Sequence, residues 1–426
     1  MKKKAIAVIG LWHLGCVTAA CLAETFDTVI GFDLDEKRIS GLSRGEAPIF
    51  EPDLNPLIKK GIDSGHLTFT TRLNDISEAE YLWITIDTPI DENDECDLSS
   101  FLYLFQMLSD ANVSHKYIIS SQVPAGTCEK LVEYIHPEKK PKIAYIPENL
   151  QLGKAIIKFK YPDMIVVGSD DSMYAGEISD LLSFFPEQPI ICSIRTSELV
   201  KHAINSFLAT CISFSNEFSE LAISINADAY KIVEIMKRDQ RIGEKLPLFP
   251  GPWFSGGTLA RDIRSLQMIG RAVDLETRLL NSVIAVNESR LDNLLKRIEK
   301  YILLEHSCVA LLGLVYTEGT DTLRKSPGLQ LINRLKQYRV DINVFEPMID
   351  ASQIANNHLK VFDSAITASK NVDVVIILRA GCMKNINILD ISEVMRGRVV
   401  FDIWATFSKE QIEMTDLIYI KPGSKI

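Results

Sequence analysis

The 426-residue chain lacks the features of nucleic-acid-binding and membrane proteins. Its 46 Lys and Arg residues are outnumbered by 56 Asp and Glu residues, which gives a formal net charge of −10. Binding to nucleic acid or to an anionic membrane surface needs excess positive charge, so neither partner is expected. No apolar run approaches the roughly 18 residues of a membrane span. A small phosphorylated ligand is not excluded, because it needs only a local positive site.

Paired cysteines and metal-binding clusters are also missing. The eight cysteines are scattered without a CxxC pair, and the seven histidines form no HExxH-like cluster. The basic start Lys2-Lys3-Lys4 runs directly into a short β-rich stretch, where a signal peptide would have a hydrophobic core. We therefore expect free thiols, a cytoplasmic location and no metal site.

Apolar runs alternate with helical stretches in two parts of the chain. The first part contains AIAVIG, TVIGFD, YLWITI, YIISSQV, KIAYIP and MIVVG, and the last contains CVALLGL, DINVFEP, VDVVIIL and RVVFDI. Continuous apolar runs are typical of parallel strands covered on both faces. Between the two parts, SELVKHAINSFLATCISFSNEFSELAISI and RSLQMIGRAVDLETRLLNSVIAVNESRLDNLLKRI have helical periodicity. The predicted fold is α/β, with two Rossmann-like doubly wound domains (1–195 and 301–426) joined by a helical central domain (196–300).

The first predicted strand leads into a glycine-containing loop before a helix. The loop reads Gly10-Leu11-Trp12-His13-Leu14-Gly15. The dinucleotide fingerprint G-x-G-x-x-G has glycine where Trp12 stands, and that glycine lets the backbone approach the pyrophosphate. Asp33 ends the next strand, where an acid binds the adenosine ribose hydroxyls and disfavours the extra phosphate of NADP. These residues predict an NAD site, with a purely structural strand–turn–helix as the alternative.

Eight further segments follow in order along the chain. They are ISGLSRGEAPIFEPDL, IDTPIDENDECDLS, SSQVPAGT, PENLQLG, ELVKHAINSFLATCISFSNE, DQRIG, GGTLARD and GLVYTEGTDTLRKSP. Together they resemble the motifs of the UDP-glucose/GDP-mannose dehydrogenase family. The resemblance implies oxidation of the C6 hydroxyl of a nucleotide sugar to a carboxylate in two NAD-dependent steps. It also implies a C-terminal domain that binds the nucleotide, and a homodimer formed through the central helices.

The resemblance assigns residues to the cofactor and to the first oxidation. Thr88, Pro89 and Gln122 join the predicted NAD site, although the family has a threonine at the position of Gln122. Lys201 and Asn205 match a catalytic lysine and asparagine, and their i, i+4 spacing places them on one face of a helix. Asp262 matches an aspartate that holds a water molecule.

The second oxidation in the family uses a cysteine that captures the aldehyde as a thiohemiacetal. In this chain that position is Thr258, and none of the eight cysteines falls in the loop. A threonine hydroxyl is far less acidic than a thiol, whose reference pKa is about 8.5. Glu148 matches the glutamate expected to serve thioester hydrolysis, whereas Leu152 replaces a second glutamate.

The resemblance also predicts substrate contacts. These are Arg241, Phe254, Gly256, Arg261 and Arg324. Arg241 matches an arginine that reaches into the neighbouring subunit's site in the family. Arg261 replaces a lysine and keeps its charge but not its geometry. Trp404 occupies the arginine position of the family's F-D-x-R motif, so one substrate-facing cation is missing.

Three functions are compatible with these residues. The first is an NAD-dependent nucleotide-sugar dehydrogenase with an altered or absent thiol-dependent second oxidation. The second is a catalytically silent relative that binds a nucleotide sugar or NAD. The third is an NAD-dependent dehydrogenase of a different hydroxy compound, with Trp253 and Phe254 reshaping the pocket. The first function is favoured because the cysteine is lost while four other residues are retained: Lys201, Asn205, Glu148 and Asp262.

Overall fold

The computed structural model describes most of the chain and separates it into two compact units. The described residues are 4–89, 96–111, 113–135, 141–148, 150–255, 258–315, 323, 326–349 and 359–423. The units are Met1–Ile204 and Asn205–Ile426. The domain boundaries at 195 and 300 stay a prediction.

The first unit is built on an eight-stranded sheet. Its strands are β1 (Ala5–Ile9), β2 (Thr28–Phe32), β3 (Leu67–Thr70), β4 (Tyr81–Ile84), β5 (Lys116–Ile119), β6 (Lys142–Tyr145), β7 (Val166–Gly168) and β8 (Ile190–Cys192). Their order is β3-β2-β1-β4-β5-β6-β7-β8. Strands β1 to β6 pair in parallel, whereas β7 runs antiparallel to β6. The chain starts at β1, moves outward to β3 and then crosses to β4, which is the doubly wound arrangement.

Helices cover both faces of this sheet. They are α1 (His13–Leu22), α2 (Glu36–Ser43), α3 (Leu54–Asp63), α4 (Ser99–Asp110), α5 (Thr127–Leu131), α6 (Ala155–Lys160) and α7 (Ser172–Leu181). Successive side chains of a strand point to opposite faces. Accordingly, Ile6 and Val8 lie in one hydrophobic cluster, and Ala7 and Ile9 lie in another. This two-sided burial explains why the inner strands read as continuous apolar runs.

Four further helices follow. They are α8 (Ile194–Ser224), which contains the boundary between the units, α9 (Ala229–Lys237), α10 (Leu259–Ala272) and α11 (Arg278–Glu299). The second predicted helical stretch is therefore two helices. Asp274, between them, has a φ of 55°, a left-handed conformation that ends the helical hydrogen-bonding pattern. None of the described helices has the length and hydropathy of a membrane span.

The second unit ends in a six-stranded parallel sheet. Its strands are β9 (Cys308–Leu312), β10 (Asp341–Phe345), β11 (Leu359–Val361), β12 (Val374–Ile377), β13 (Val399–Asp402) and β14 (Ile418–Ile420). The order is β11-β10-β9-β12-β13-β14, which repeats the doubly wound topology. The accompanying helices are α12 (Pro327–Leu335), α13 (Ala365–Ala368), α14 (Ile388–Val394) and α15 (Lys409–Glu413). The predicted fold class is confirmed.

Each sheet has a glycine in a left-handed conformation directly after its first strand. Gly10 follows β1 with a φ of 91°, and Gly313 follows β9 with a φ of 92°. Each glycine donates its N–H to the last residue of the neighbouring strand, Phe32 or Phe345, over 2.9 Å. Only glycine adopts this conformation without a steric penalty, so the chain can turn sharply at both positions.

A buried carboxylate holds each of these turns. Asp33, directly after β2, accepts a hydrogen bond from the Leu11 N–H at 2.7 Å. Glu346, directly after β10, accepts hydrogen bonds from the N–H groups of Leu314 at 2.6 Å and Val315 at 2.9 Å. The same local structure therefore occurs at the carboxyl end of both sheets, where open α/β folds bind their ligands.

Replacing Gly15 with Ala is expected to destabilise the first unit. The added Cβ would lie 1.9 Å from the carbonyl oxygen of Gly10, so α1 would have to move away from β1. We expect a loss of about 1–3 kcal/mol in the free energy of unfolding, typical of overpacking. Chemical denaturation measures it.

Gly176 provides a matched control for this substitution. It lies within α7, and a Cβ there would meet no atom within 4 Å. Gly176→Ala should stabilise the chain by roughly 0.5–1 kcal/mol, because alanine favours helix. Equal effects of the two substitutions would contradict the proposed close contact at Gly15.

Candidate functional site

The predicted cofactor loop lies at the carboxyl end of β1, beside the crossover to β4. A Cβ on Gly10 would lie 2.8 Å from the backbone of Ile86, so the space on that side is closed. Thr85 donates its hydroxyl to the carbonyl oxygens of Ile9 and Gly10, at 3.0 and 2.8 Å. The loop is thus fixed to β4 as well as to β2.

Asp33 has a cationic partner as well as its backbone donor. Its Oδ2 accepts a 2.6 Å hydrogen bond from Arg38 on α2, and its Oδ1 accepts one from the Asp35 N–H at 3.0 Å. The carboxylate is 7% exposed. The guanidinium therefore reduces the negative charge at the predicted ribose position.

Trp12 lies at the surface of the loop, with 38% of its area exposed. It occupies the N-cap position of α1 and makes no side-chain cap hydrogen bond. The Arg38 guanidinium lies 5.3 Å from the centroid of its ring, a cation–π distance. The indole and Asp33 therefore share Arg38, a residue that no motif in the sequence singles out.

His13 ties the start of α1 to a distant loop through Glu51. Its Nε2 lies 2.8 Å from a Glu51 carboxylate oxygen. Glu51 also accepts hydrogen bonds from the N–H groups of Gly153 at 2.9 Å and Ala155 at 2.8 Å. Leu14 is half-buried beside His13.

Thr88 and Gln122 connect the loops that follow β4 and β5. The Thr88 hydroxyl donates to the Gln122 carbonyl oxygen at 2.6 Å. Pro89 is exposed, and its carbonyl oxygen accepts a 2.8 Å hydrogen bond from the Asp97 N–H. The left-handed glycine, the acid after β2 and these loops at one edge of the sheet fit an NAD molecule.

Lys201 and Glu148 form a pair in the first unit. The Lys201 ammonium donates to the backbone carbonyl oxygen of Glu148 and lies 3.6 Å from its Oε2. Lys201 is 9% exposed. The other carboxylate oxygen, Oε1, is buried and has no hydrogen-bond partner within the described ranges. A buried, unpaired carboxylate oxygen is costly, so it fits a position that a water or ligand completes.

Asn205 and Asp262 form a second pair, in the second unit. The Asn205 side-chain amide, on α8, donates to Oδ2 of Asp262. Asp262 lies in the first turn of α10 and is fully buried. A negative charge is favourable there because the helix N-terminus carries partial positive charge. Asn205 follows Lys201 by one turn of the same helix.

Thr258 precedes α10 and caps this helix through its backbone, without using its side chain. It is the N-cap residue, and its hydroxyl makes no cap hydrogen bond. Its carbonyl oxygen accepts the N–H of Asp262 at 3.1 Å. Arg261 is half-buried in the same turn. Gly256 and Arg324, two predicted substrate contacts, lie outside the described residues.

The remaining predicted substrate residues differ in exposure. The side chain of Arg241 is 88% exposed and pairs with Asp239 at 2.6 Å. Phe254 is buried with Ile263 and neighbouring apolar side chains, and its backbone exchanges two hydrogen bonds with the Asn287 side chain. Phe254 therefore packs the helical region, and its contact with substrate stays a prediction.

The cysteines do not provide an evident nucleophile. All eight are free. Burial raises the pKa of Cys16 and of Cys21 to about 12, and it raises the pKa of Cys128 well above its usual range. A thiol attacks as its thiolate, so these three are inert at neutral pH. Within the described ranges, no group of His, Cys, Asp and Glu side chains could hold a metal ion.

Replacing Trp12 with Gly is expected to tighten NAD binding by up to about tenfold, which corresponds to about 1.4 kcal/mol. A glycine there would let the pyrophosphate approach the loop backbone. Titration calorimetry of the full chain measures the affinity. Tyr161→Ala removes another exposed aromatic side chain, 66% exposed, and should change nothing. Unchanged or weaker binding by the Trp12 variant would contradict this account.

Three family profiles match consecutive parts of the chain. The NAD-binding domain of the UDP-glucose/GDP-mannose dehydrogenase family matches residues 4–185. The central domain of that family matches residues 195–289, and its UDP-binding domain matches residues 310–409.

Individual relatives agree with these profiles. The UDP-glucose 6-dehydrogenase of Rickettsia typhi is 30% identical over 434 aligned residues, covering 99% of this chain and 100% of the relative. The enzyme TuaD of Bacillus subtilis, also a UDP-glucose 6-dehydrogenase, is 28% identical over 99% of this chain and 93% of its own length.

Solved structures show the same likeness. A UDP-glucose dehydrogenase from Pyrobaculum islandicum superposes with a TM-score of 0.86 and 25% identity, covering 100% of this chain and 98% of that one. A UDP-D-ManNAc dehydrogenase from Pyrococcus horikoshii shares the fold, with a TM-score of 0.86, 23% identity and coverage of 98% and 99%. The chain therefore belongs to the UDP-glucose/GDP-mannose dehydrogenase family, with NAD as its cofactor and a domain for a UDP-type nucleotide at its C-terminal end.

Proposed function

We propose that the protein is an NAD-dependent dehydrogenase of the C6 hydroxyl of a nucleotide sugar of the UDP-glucose type. Its thiol-dependent second oxidation is altered or absent. One observation carries the proposal. The pairs Lys201–Glu148 and Asn205–Asp262 are both formed, whereas a threonine stands at the nucleophile position.

In the first oxidation, the chain's residues act on the proton and charge of the sugar hydroxyl. Bound NAD supplies the hydride acceptor. Lys201 carries a positive charge that stabilises a developing alkoxide in a partly dehydrated site. Asn205 fixes the orientation of Asp262, whose buried carboxylate can accept a proton through a held water. Loss of either pair should lower kcat more than it raises KM.

Thr258 cannot replace the thiol in the second oxidation. A cysteine at a helix N-terminus has a lowered pKa and becomes a thiolate. No hydrogen bond joins the Thr258 hydroxyl to a histidine or a carboxylate in the described part of the chain. The hydroxyl therefore stays protonated, and the aldehyde is not captured covalently. Hydration of the aldehyde would leave a route to the acid that needs no thiol.

The direct test is to incubate the purified chain with NAD and a panel of nucleotide sugars. We expect NADH from at least one UDP-sugar, measured by absorbance, with the product's oxidation state read by mass spectrometry. Lys201→Met is the inactive control. Binding of sugar and NAD without NADH would instead support a catalytically silent relative. NADH formed only with non-nucleotide hydroxy compounds would support the third function.

Replacing Thr258 with Cys is expected to restore the second oxidation. The NADH yield should rise from about one towards two per sugar, and iodoacetamide should block the gain. Wild-type activity should resist iodoacetamide, because its reaction uses no thiolate. Thr258→Ser is the matched control and should behave as wild type. A yield of one NADH from the cysteine variant would mean that Thr258 alone does not limit the reaction.

We further propose that the protein is a homodimer through α8. Three apolar side chains at seven-residue spacing are exposed on this helix: Phe207 (55%), Phe214 (47%) and Leu221 (59%). Such spacing places them in one stripe, and exposed apolar stripes mark association sites. A second copy of the chain supplies the same stripe. The exposed Arg241 is then available to a neighbouring subunit.

Phe214→Glu is expected to convert the dimer into a monomer, because it places a charge in the apolar stripe. Light scattering coupled to size exclusion measures the mass. Tyr103→Glu alters an exposed apolar residue on α4 and should leave the mass unchanged. A monomeric wild-type chain at micromolar concentration would overturn the proposal.

A further inference from the structure

A buried carboxylate joins three separate segments of the first unit. Glu51 precedes α3, and its side chain is 1% exposed. Its Oε2 lies 2.8 Å from Nε2 of His13 and accepts the N–H of Gly153 at 2.9 Å, while its Oε1 accepts the N–H of Ala155 at 2.8 Å. A carboxylate only accepts hydrogen bonds, so the imidazole nitrogen that faces it carries the hydrogen. Three donors thus surround one buried charge, as such a charge requires.

His13 places one of these donors at the start of the cofactor helix. It is the first residue of α1, and the preceding Trp12 provides no side-chain cap. The His13 side chain is 15% exposed. In dinucleotide-binding folds the pyrophosphate lies at the N-terminus of this helix, where the free N–H groups of the first turn meet it. Glu51 therefore fixes the side chain of the residue that opens the pyrophosphate-facing turn.

Gly153 and Ala155 place the other two donors at the end of the segment that contacts Lys201. This segment follows β6 and ends where α6 begins. It includes Glu148, whose carbonyl oxygen accepts a hydrogen bond from the Lys201 ammonium. At its start, the Ile146 N–H donates to the last carbonyl oxygen of β5 over 2.9 Å. The start of the segment is therefore held by the sheet, and its end by the buried carboxylate.

A continuous path of contacts leads from the cofactor helix to Lys201. It passes from His13 to Glu51, from Glu51 to Gly153, and then along the chain to Glu148. The members of this path all belong to the first unit. Hydrogen bonds to an ionised group are shorter and stronger than those between neutral groups. The start of α1 and Lys201 are thus connected through protein contacts alone.

We propose that Glu51 is a positioning residue that couples NAD binding at α1 to the placement of Lys201. When the pyrophosphate orders the first turn of α1, His13 is held in place, and Glu51 in turn holds the N–H groups of Gly153 and Ala155. The segment that contacts Lys201 then opens less often. The catalytic consequence rests on the proposed function, whereas the coupling itself needs only NAD.

Amide hydrogen exchange of the full chain, followed by mass spectrometry with and without NAD, tests the coupling. We expect saturating NAD to slow exchange in the peptide that covers Gly153 and Ala155 by about threefold or more, because these N–H groups exchange only when their bonds to Glu51 open. The peptide that covers β8, at one edge of the sheet, is the internal control and should not change. Unchanged exchange around Gly153, or equal slowing of both peptides, would refute the inference.

Two variants of His13 separate the coupling from a merely structural role. His13→Leu removes the ring N–H that faces Glu51, so the NAD-dependent slowing around Gly153 should be lost while NAD still binds. His13→Gln keeps an N–H donor and should restore most of the slowing. Glu46→Gln is the matched control and should behave as wild type, because the Glu46 side chain is 60% exposed and pairs with Arg44 at 2.8 Å. Slowing that survives His13→Leu would contradict the coupling.

Kinetics connects the coupling to the proposed reaction. At saturating NAD and sugar, His13→Leu should lower kcat about tenfold, because a small misplacement of a reacting group is costly. If this variant does not bind NAD, Glu51→Asp, which withdraws the carboxylate by one methylene group, replaces it in both measurements. An unchanged kcat together with lost slowing would refute the link to Lys201. If the wild type forms no NADH from any sugar, the proposed function fails, and the exchange result still decides the coupling.

Discussion

In each sheet, a buried carboxylate accepts hydrogen bonds from the backbone N–H groups of a turn, and the loops around the predicted ligand sites depend on these bonds. In each sheet the first strand ends in a left-handed glycine, and the acid after the second strand accepts the N–H that follows. For Asp33 that donor is Leu11, and for Glu346 it is Leu314. An unpaired buried N–H is costly. These acids therefore fix the turns around which the predicted ligand sites are arranged.

Because the loops are held by backbone hydrogen bonds, cofactor binding and the chemical step respond differently to changes of side chain. Turns held by backbone hydrogen bonds tolerate changes in side chains, and in this chain the loop carries Trp12 while Gly10 keeps its hydrogen bond to Phe32. The reacting groups have no such tolerance, because a hydroxyl cannot ionise where a thiol does. The family fold and the NAD cofactor are thus shared with relatives, while the proposed change in the second oxidation rests on Thr258.

The inner part of both sheets could be predicted from the sequence, but their edges could not. The four strands that were not predicted, β3, β8, β11 and β14, are the four sheet edges. An edge strand is not buried on both sides, so it need not form a long apolar run, and Ile190 and Ile191 of β8 are indeed exposed. The break near Asp274 was also missed, because a single left-handed residue hardly changes the apolar periodicity.

Contacts around the candidate site residues divide in the same way. The placement of Lys201 and Asn205 on one face of a helix could be predicted from their spacing, whereas their catalytic roles stay a prediction. The contact between Arg38 and Trp12 could not be predicted, because tertiary structure brings α2 against the loop that follows β1.

The burial of the cysteines bears on how the protein would respond to oxidants. Peroxide reacts with thiolates, and an enzyme that relies on one is inactivated when its sulfur becomes sulfenic or sulfinic acid. Cys16, Cys21 and Cys128 are buried and remain protonated at neutral pH. On the proposed chemistry no sulfur takes part in turnover, so the first oxidation would continue under oxidative stress that stops a thiol-dependent dehydrogenase.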